Sequence, residues 1–127
     1  MHRDIKPDNI LVKSTQDSST HEIRIADMGL AAFTLQDELL EMKCGTPGYV
    51  APEVFTKSGY EYKADIFSLG SCFFNLLTGC LLFGGRNAEE ILRRNMECKT
   101  ERVPAALESV SAPCKDLLLK MINKDPA

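Results

Sequence analysis

The sequence has 127 residues, of which 44% are hydrophobic and 26% charged, the length of one ordinary domain with the composition of a soluble globular protein. Its 15 Lys+Arg stand against 18 Asp+Glu, a net charge of -3, which leaves no basic footprint for nucleic acid or anionic membrane. No apolar run approaches the ~20 residues of a membrane-spanning helix, and the charged opening segment does not read as a secretory signal.

Taken in chain order, Pro7 keeps the first segment out of regular helix, and that segment runs into Ile10-Leu11-Val12, a short β-prone run. A second run, Ile23-Arg24-Ile25-Ala26, shows alternation. The polar stretch "KSTQDSSTHE" between them predicts a hairpin loop. Residues 30–50 mix Gly, Pro and polar side chains without a period, which predicts a long irregular segment of the functional kind. "ADIFSLGSCFFNLLTG" is apolar on nearly every face and predicts a buried helix, ended by Thr78-Gly79 with Gly79 as a left-handed cap. Asn87 followed by Glu90 has the pattern of a capping box ahead of "ILRRNMEC", where Ile91, Leu92 and Met96 share a stripe. Ser111 and Pro113 open a last helix with Leu117, Leu118, Met121 and Ile122 inward, and Asp125-Pro126 follow it. The class is α+β, mainly α, as one unit without repeats or a linker. Cys44, Cys72, Cys80, Cys98 and Cys114 are scattered without a C-x-x-C pair, which argues against zinc and a disulfide framework and for reduced thiols.

The chemistry-bearing residues concentrate near the start. Asp4, Lys6 and Asn9 put a carboxylate, an ammonium and an amide on one short loop. Asp27-Met28-Gly29 follows the second strand, with Gly29 suited to a sharp turn. A hairpin brings its ends together, so Asn9 and Asp27 become neighbours. Their oxygens are hard ligands, suited to Mg²⁺ held partly by substrate phosphates. Asp4 is then free to take a proton, and Lys6 to neutralise charge on a transferring group. That is a layout for phosphoryl transfer.

These residues carry a family resemblance. "HRDIKPDN" resembles the H-R-D-x-x-x-x-N catalytic loop of eukaryotic protein kinases, "DMG" stands where that family has D-F-G, and Ala51-Pro52-Glu53 matches its A-P-E. The roles that follow are those of the general protein-kinase template for phosphoryl transfer and are carried over from it. The resemblance implies that Asp4 accepts or orients the substrate hydroxyl proton, that Lys6 stabilises the γ-phosphoryl group of ATP, and that Asn9 and Asp27 hold Mg²⁺. It implies that His2 packs against the Asp27 turn and that Asp65 braces the catalytic-loop backbone from the central helix. "CGTPGYVAPEV" is most similar to the calcium/calmodulin-dependent group of serine/threonine kinases. By that likeness Thr46 hydrogen-bonds Asp4 and Lys6, and Pro47 and Val50 help line the pocket for the residue after the phosphorylated one.

Departures from the pattern carry their own expectations. Met28 replaces the usual Phe and is expected to fill the same internal slot with less rigidity; Phe67 stands for the more usual Trp. Met42 occupies the place of an activating phosphothreonine. One of Asp37, Glu38 and Glu41 is therefore expected to pair with Arg3, against the plainer reading of a solvated loop face. Asn75 and Gly48 stand where relatives that select basic substrates often have Glu, which argues against strong selection for upstream arginines. A Gly-rich loop, the strand lysine and its helix glutamate are not in this sequence. Glu53 pairs in the family with an Arg beyond the "DP" motif. The expectation is therefore a partial kinase domain over 1–127, the larger C-terminal lobe alone, inactive without an N-lobe of the same chain. Its partners are then ATP and protein substrates, without nucleic acid or membrane, in the cytoplasm or cytoplasm and nucleus. The rival readings are a non-catalytic pseudokinase scaffold, opposed by the retained Asp4, Lys6, Asn9 and Asp27, and a small-molecule kinase, opposed by the peptide-acceptor segment.

Overall fold

The computed structural model describes residues 1–14, 21–34 and 39–125. A 3₁₀ turn at Pro7–Asn9 uses proline at its first position, where no amide donor is needed, and leads into strand β1 (Ile10–Ser14). β1 pairs antiparallel with β2 (His21–Ile25), opposing Ile10 to Ile25 and Val12 to Ile23. Paired residues share a face, so this register gathers four β-branched side chains on one side of the ribbon. Val12, Ile23 and Ile25 are exposed there. The strands reach further into the polar stretch than its composition implied, taking in Lys13 and Glu22, while Ala26 lies outside β2. Residues 15–20 of the expected hairpin loop lie outside the described residues.

Beyond a second 3₁₀ turn at Met28–Leu30 the described residues have little regular structure until α1 (Glu53–Thr56). The long helix α2 (Lys63–Thr78) follows and stops at Gly79, whose φ of +71° makes the left-handed cap. Then come α3 (Ala88–Glu97), the short α4 (Val103–Ala106) and α5 (Ala112–Met121). Asn87 caps α3 by accepting the Glu90 amide at 2.8 Å. The reciprocal bond runs from the Arg86 amide to Glu90 Oε2 at 2.9 Å, one residue earlier than a standard capping box.

The core gathers Val50, Ala51 and Val54 of the central segment, Ala64, Phe67 and Phe74 of α2, and Leu118 and Ile122. Phe67 stacks on Phe83 with ring centroids 6.4 Å apart and planes 4° from parallel. Gly70 is where α2 meets α5: a Cβ there would stand 2.8 Å from Ile122 Cγ2. Two burial expectations need correction. α2 is buried on one side only, with Ile66 and Leu69 exposed and Leu76 74% exposed, because α5 and the 50–54 segment cover the opposite side. Leu117 is 53% exposed, since the buried stripe of α5 runs through Leu118 and Ile122, and Leu119 packs on the core beside it. Among the described residues no helix is long and apolar enough to cross a membrane.

Candidate catalytic site

The loop before β1 is held from two directions. From α2, Asp65 accepts the amides of His2 at 2.7 Å and Arg3 at 2.8 Å, one on each carboxylate oxygen. Arg3 has a φ of +69°, a left-handed conformation that a side chain with a Cβ adopts only under constraint. From the hairpin side, the buried His2 ring spans two backbones: Nδ1 accepts the Asp4 amide at 3.2 Å and Nε2 donates to Ala26 O at 3.0 Å. That network assigns the proton to Nε2. Ala26 also donates its amide to Asn9 O at 2.9 Å, which brings the two ends of the hairpin together.

Asp4 sits at the centre of the site. Lys6 Nζ donates to Asp4 Oδ2 at 2.8 Å, Thr46 Oγ1 donates to Asp4 Oδ1 at 2.5 Å, and Lys6 donates again to Thr46 Oγ1 at 3.1 Å. Burial alone would raise the Asp4 carboxyl, but the bonds from Lys6 and Thr46 and the Lys6 charge outweigh it, so its pKa lies below the ordinary value. Lys6 is displaced upward, chiefly by its bond to Asp4, against the opposing effect of burial; the charges of Asp4, Asp8 and Asp27 add to the rise. An ammonium has three donors. Two are committed here, leaving one for an incoming anion.

Asn9 is buried and donates through Nδ2 to Asp4 O at 2.9 Å and, more weakly, to Asp4 Oδ2 at 3.4 Å. Its Oδ1 is left as an acceptor. Asp27, left-handed at φ +62°, accepts the Gly29 amide on Oδ1 at 3.1 Å and is otherwise open to solvent. One amide oxygen and one carboxylate suit a hard cation that keeps waters and takes substrate phosphate oxygens as its remaining ligands. Among the described residues there is no cluster of three acidic, His or Cys side chains that would form an all-protein cage. The donor set therefore fits Mg²⁺ carried with a phosphate substrate. Met28 does not occupy an internal slot. It is 59% exposed, in the 3₁₀ turn that Asp27 caps, and lies outside the core cluster.

The segment carrying Thr46 approaches the opening loop closely. A Cβ on Gly45 would lie 3.2 Å from Arg3 O and 2.9 Å from Val50 Cγ2, and its φ of +120° also favours glycine. Pro47 is half-buried beside Thr46, whereas Val50 belongs to the core, so Val50 presents no open side chain to a ligand. Glu53, at the head of α1, is buried, and its Oε2 has no hydrogen-bond partner. Burial pushes its carboxyl above the ordinary value. Glu53 also helps line a cavity of about 270 Å³ with Lys63, Phe67 and Asn123.

Arg3 meets a backbone carbonyl among the described residues. Arg3 Nε donates to Leu30 O at 2.5 Å, and its charge acts on Tyr60. Among the described residues no carboxylate forms an ion pair with Arg3. Asp37 and Glu38 lie outside the described residues, and Glu41 is exposed. What anchors this stretch is Tyr60, which composition did not single out. It exchanges backbone bonds with Leu40 at 2.9 and 3.0 Å, donates its hydroxyl to Met42 O at 2.6 Å, and lies 3.7 Å from Cys44 Sγ. Asn95 was missed too. It sits four residues beyond Ile91 within the apolar stripe of α3, and a polar amide in such a stripe is the signal that it serves something outside its helix.

Comparison with known proteins follows the same lines as this geometry. A family model described as "Protein kinase domain" matches residues 1–127. The chain is 40% identical over 126 residues to "Probable serine/threonine-protein kinase 2" of Plasmodium falciparum, covering 99% of this chain and 24% of that protein. It is 40% identical over 132 residues to "CBL-interacting protein kinase 26" of Oryza sativa, covering 99% and 24%. It is 37% identical over 125 residues to "Myosin light chain kinase A" of Dictyostelium discoideum, covering 98% and 42%. The chain thus spans less than half the length of these relatives.

Proposed function

The chain belongs to the protein kinase family, of the serine/threonine type, and from that premise we propose that its residues carry the catalytic loop and acceptor segment of an enzyme moving the γ-phosphoryl group of ATP onto protein serine or threonine hydroxyls. The observation that carries the reading is the three-way contact of Asp4, Lys6 and Thr46, which joins the opening loop to a segment 40 residues away.

In this mechanism the acceptor hydroxyl donates its hydrogen bond to Asp4. A carboxylate held below its ordinary pKa is a weak base, so Asp4 orients the nucleophile first and takes its proton late, as the oxygen–phosphorus bond forms. Lys6 keeps one donor for the transferring phosphoryl oxygens while its other two hold Asp4 and Thr46 in register. Asn9 Oδ1 and Asp27 would hold Mg²⁺, which supplies charge neutralisation on the phosphates when bound.

We read the 127 residues as the helical lobe of the domain. Two features support this: the open apolar face of the hairpin, and the unpartnered carboxylate oxygen of Glu53, a residue that lines a cavity, which suits a guanidinium partner. On this reading the isolated chain turns over little, because positioning of ATP supplies much of the rate. The free thiols fit a reducing compartment such as the cytoplasm.

The test is transfer of labelled γ-phosphate to a protein substrate by the intact protein and by its Asp4→Asn variant. A loss of about 10²–10⁴-fold is expected from removing a positioned base. Equal rates in the two proteins would overturn the assignment.

A further inference from the structure

Asn95 is 1% exposed, on the inward side of α3, and both ends of its amide are occupied. Oδ1 accepts the Gly48 amide at 2.6 Å, and Nδ2 donates to Val50 O at 3.0 Å. Neither partner belongs to its own helix. A buried amide is costly unless satisfied, and an aliphatic residue here would continue the stripe begun by Ile91 and Leu92. The helix alone therefore gives no reason for asparagine at this position. The loop gives one: residues 46–50 form a turn without regular structure, and its buried amide and carbonyl need partners.

We propose that Asn95 is a positioning residue for phosphoryl transfer, clamping the acceptor turn from α3 so that Thr46 meets Asp4. The clamp is a short series of contacts. Thr46 O accepts the amides of Tyr49 at 3.1 Å and Val50 at 3.0 Å, which closes the turn from within. Asn95 ties its two outward groups, the Gly48 amide and the Val50 carbonyl, from without. Thr46 then presents Oγ1 to both Asp4 and Lys6. Asn95 itself touches none of these reacting groups. Its effect passes through the turn, and so falls on how the acceptor protein is received and not on how ATP is held.

The side-chain amides of Asn and Gln carry a donor and an acceptor on one planar, uncharged group. Leucine matches the volume and offers neither function. The kinetic arm of the test rests on the kinase reading above; the exchange arm does not.

In the intact protein, Asn95→Leu is expected to raise the KM for the protein substrate about tenfold while the KM for ATP stays within twofold, from the loss of two buried bonds. Hydrogen exchange at the Gly48 amide is expected to speed up at least tenfold, with amides of α2 unchanged as the internal control. Asn95→Gln is expected to recover part of both effects. Should Asn95→Leu fail to fold, Asn95→Ser, which is too short to reach both backbone groups, is measured in the same way. Unchanged exchange at Gly48 would overturn the clamp. So would a KM for ATP that rises in step with the KM for protein, since that marks general destabilisation. If the wild-type protein transfers no phosphate, the kinase reading falls, and faster or unchanged exchange at Gly48 then decides the clamp alone.

Discussion

Asp65 accepts the Arg3 amide at 2.8 Å, and Arg3 is one of three non-glycine residues described with positive φ, at +69°. The carboxylate thus holds a strained backbone next to Asp4 from a helix more than 60 residues away in sequence. Asp65→Ala removes two charge-assisted acceptors and leaves the strain without its restraint. A loss of about 3 kcal/mol is expected, since such bonds contribute about 1.5–3 kcal/mol each and are not additive. The urea unfolding midpoint of the intact protein measures it, with an unchanged slope. A midpoint within error of wild type would show that the loop holds its shape without Asp65.

Thr46→Val keeps the shape of the side chain but removes the donor to Asp4 Oδ1 and the acceptor for Lys6. Turnover is expected to fall by about 10–100-fold, a loss of the size expected for one charge-assisted bond. Because bonds from Thr46 and Lys6 help hold Asp4 below its ordinary value, the acid limb of the pH–rate profile moves to higher pH. Thr46→Ser leaves both rate and limb near wild type. An acid limb that moves to lower pH in Thr46→Val contradicts the assignment.

Glu53 makes stability depend on pH in the opposite sense from Asp4. Its folded pKa is raised, so the native state holds the proton more tightly than the unfolded chain does. Stability from this group is present below the ordinary carboxyl value and is lost as pH rises through the raised one. Glu53→Gln removes that loss, and about 1 kcal/mol of extra stability at neutral pH is expected, with the gain shrinking in acid. Calorimetric melting of the 127-residue chain and of its Glu53→Gln variant at neutral and acid pH tests this. A variant less stable than wild type at neutral pH would mean that Oε2 has a charged partner in solution.

Tyr60→Phe deletes one hydroxyl and leaves the Met42 carbonyl without its 2.6 Å donor. A cost of about 0.5–1.5 kcal/mol is expected for the loss of one hydrogen bond. Exchange at the Leu40 amide, which Tyr60 O accepts, should quicken first, because the bridge and the hydroxyl anchor the same stretch. Protection at Leu40 that equals wild type would show that the backbone bridge suffices.

Much of the site could be read from the sequence because its parts are short and local. Asp4, Lys6 and Asn9 share one loop, and Gly79 and Asn87 announce their caps by residue type. What composition could not give depends on contacts distant in sequence. Tyr60 reaches back 18 residues to Met42, and Asn95 reaches 45 and 47 residues to Val50 and Gly48. Nothing local distinguishes that tyrosine from Tyr62, which is exposed two positions later. The burial of α2 was misjudged for a related reason: an all-round apolar helix says what it can bury, whereas neighbouring elements decide which side it does bury. Arg3 was given an acidic partner because Met42 stands where relatives carry a phosphothreonine; its Nε donates to Leu30 O, Glu41 is exposed, and Asp37 and Glu38 lie outside the described residues.

The ribbon formed by β1 and β2 has a consequence for handling the molecule. Two strands are marginal by themselves in water, and this pair turns Val12, Ile23 and Ile25 outward in one β-branched row. In a two-stranded sheet each strand is also an edge, with unpaired amides and carbonyls along its outer side. Edges of that kind recruit further strands, and the row of side chains gives the recruited strand a surface to dry. Self-association in concentrated samples of the 127-residue chain should therefore begin at this ribbon while the helices are still folded, and light scattering should rise before helical circular dichroism falls.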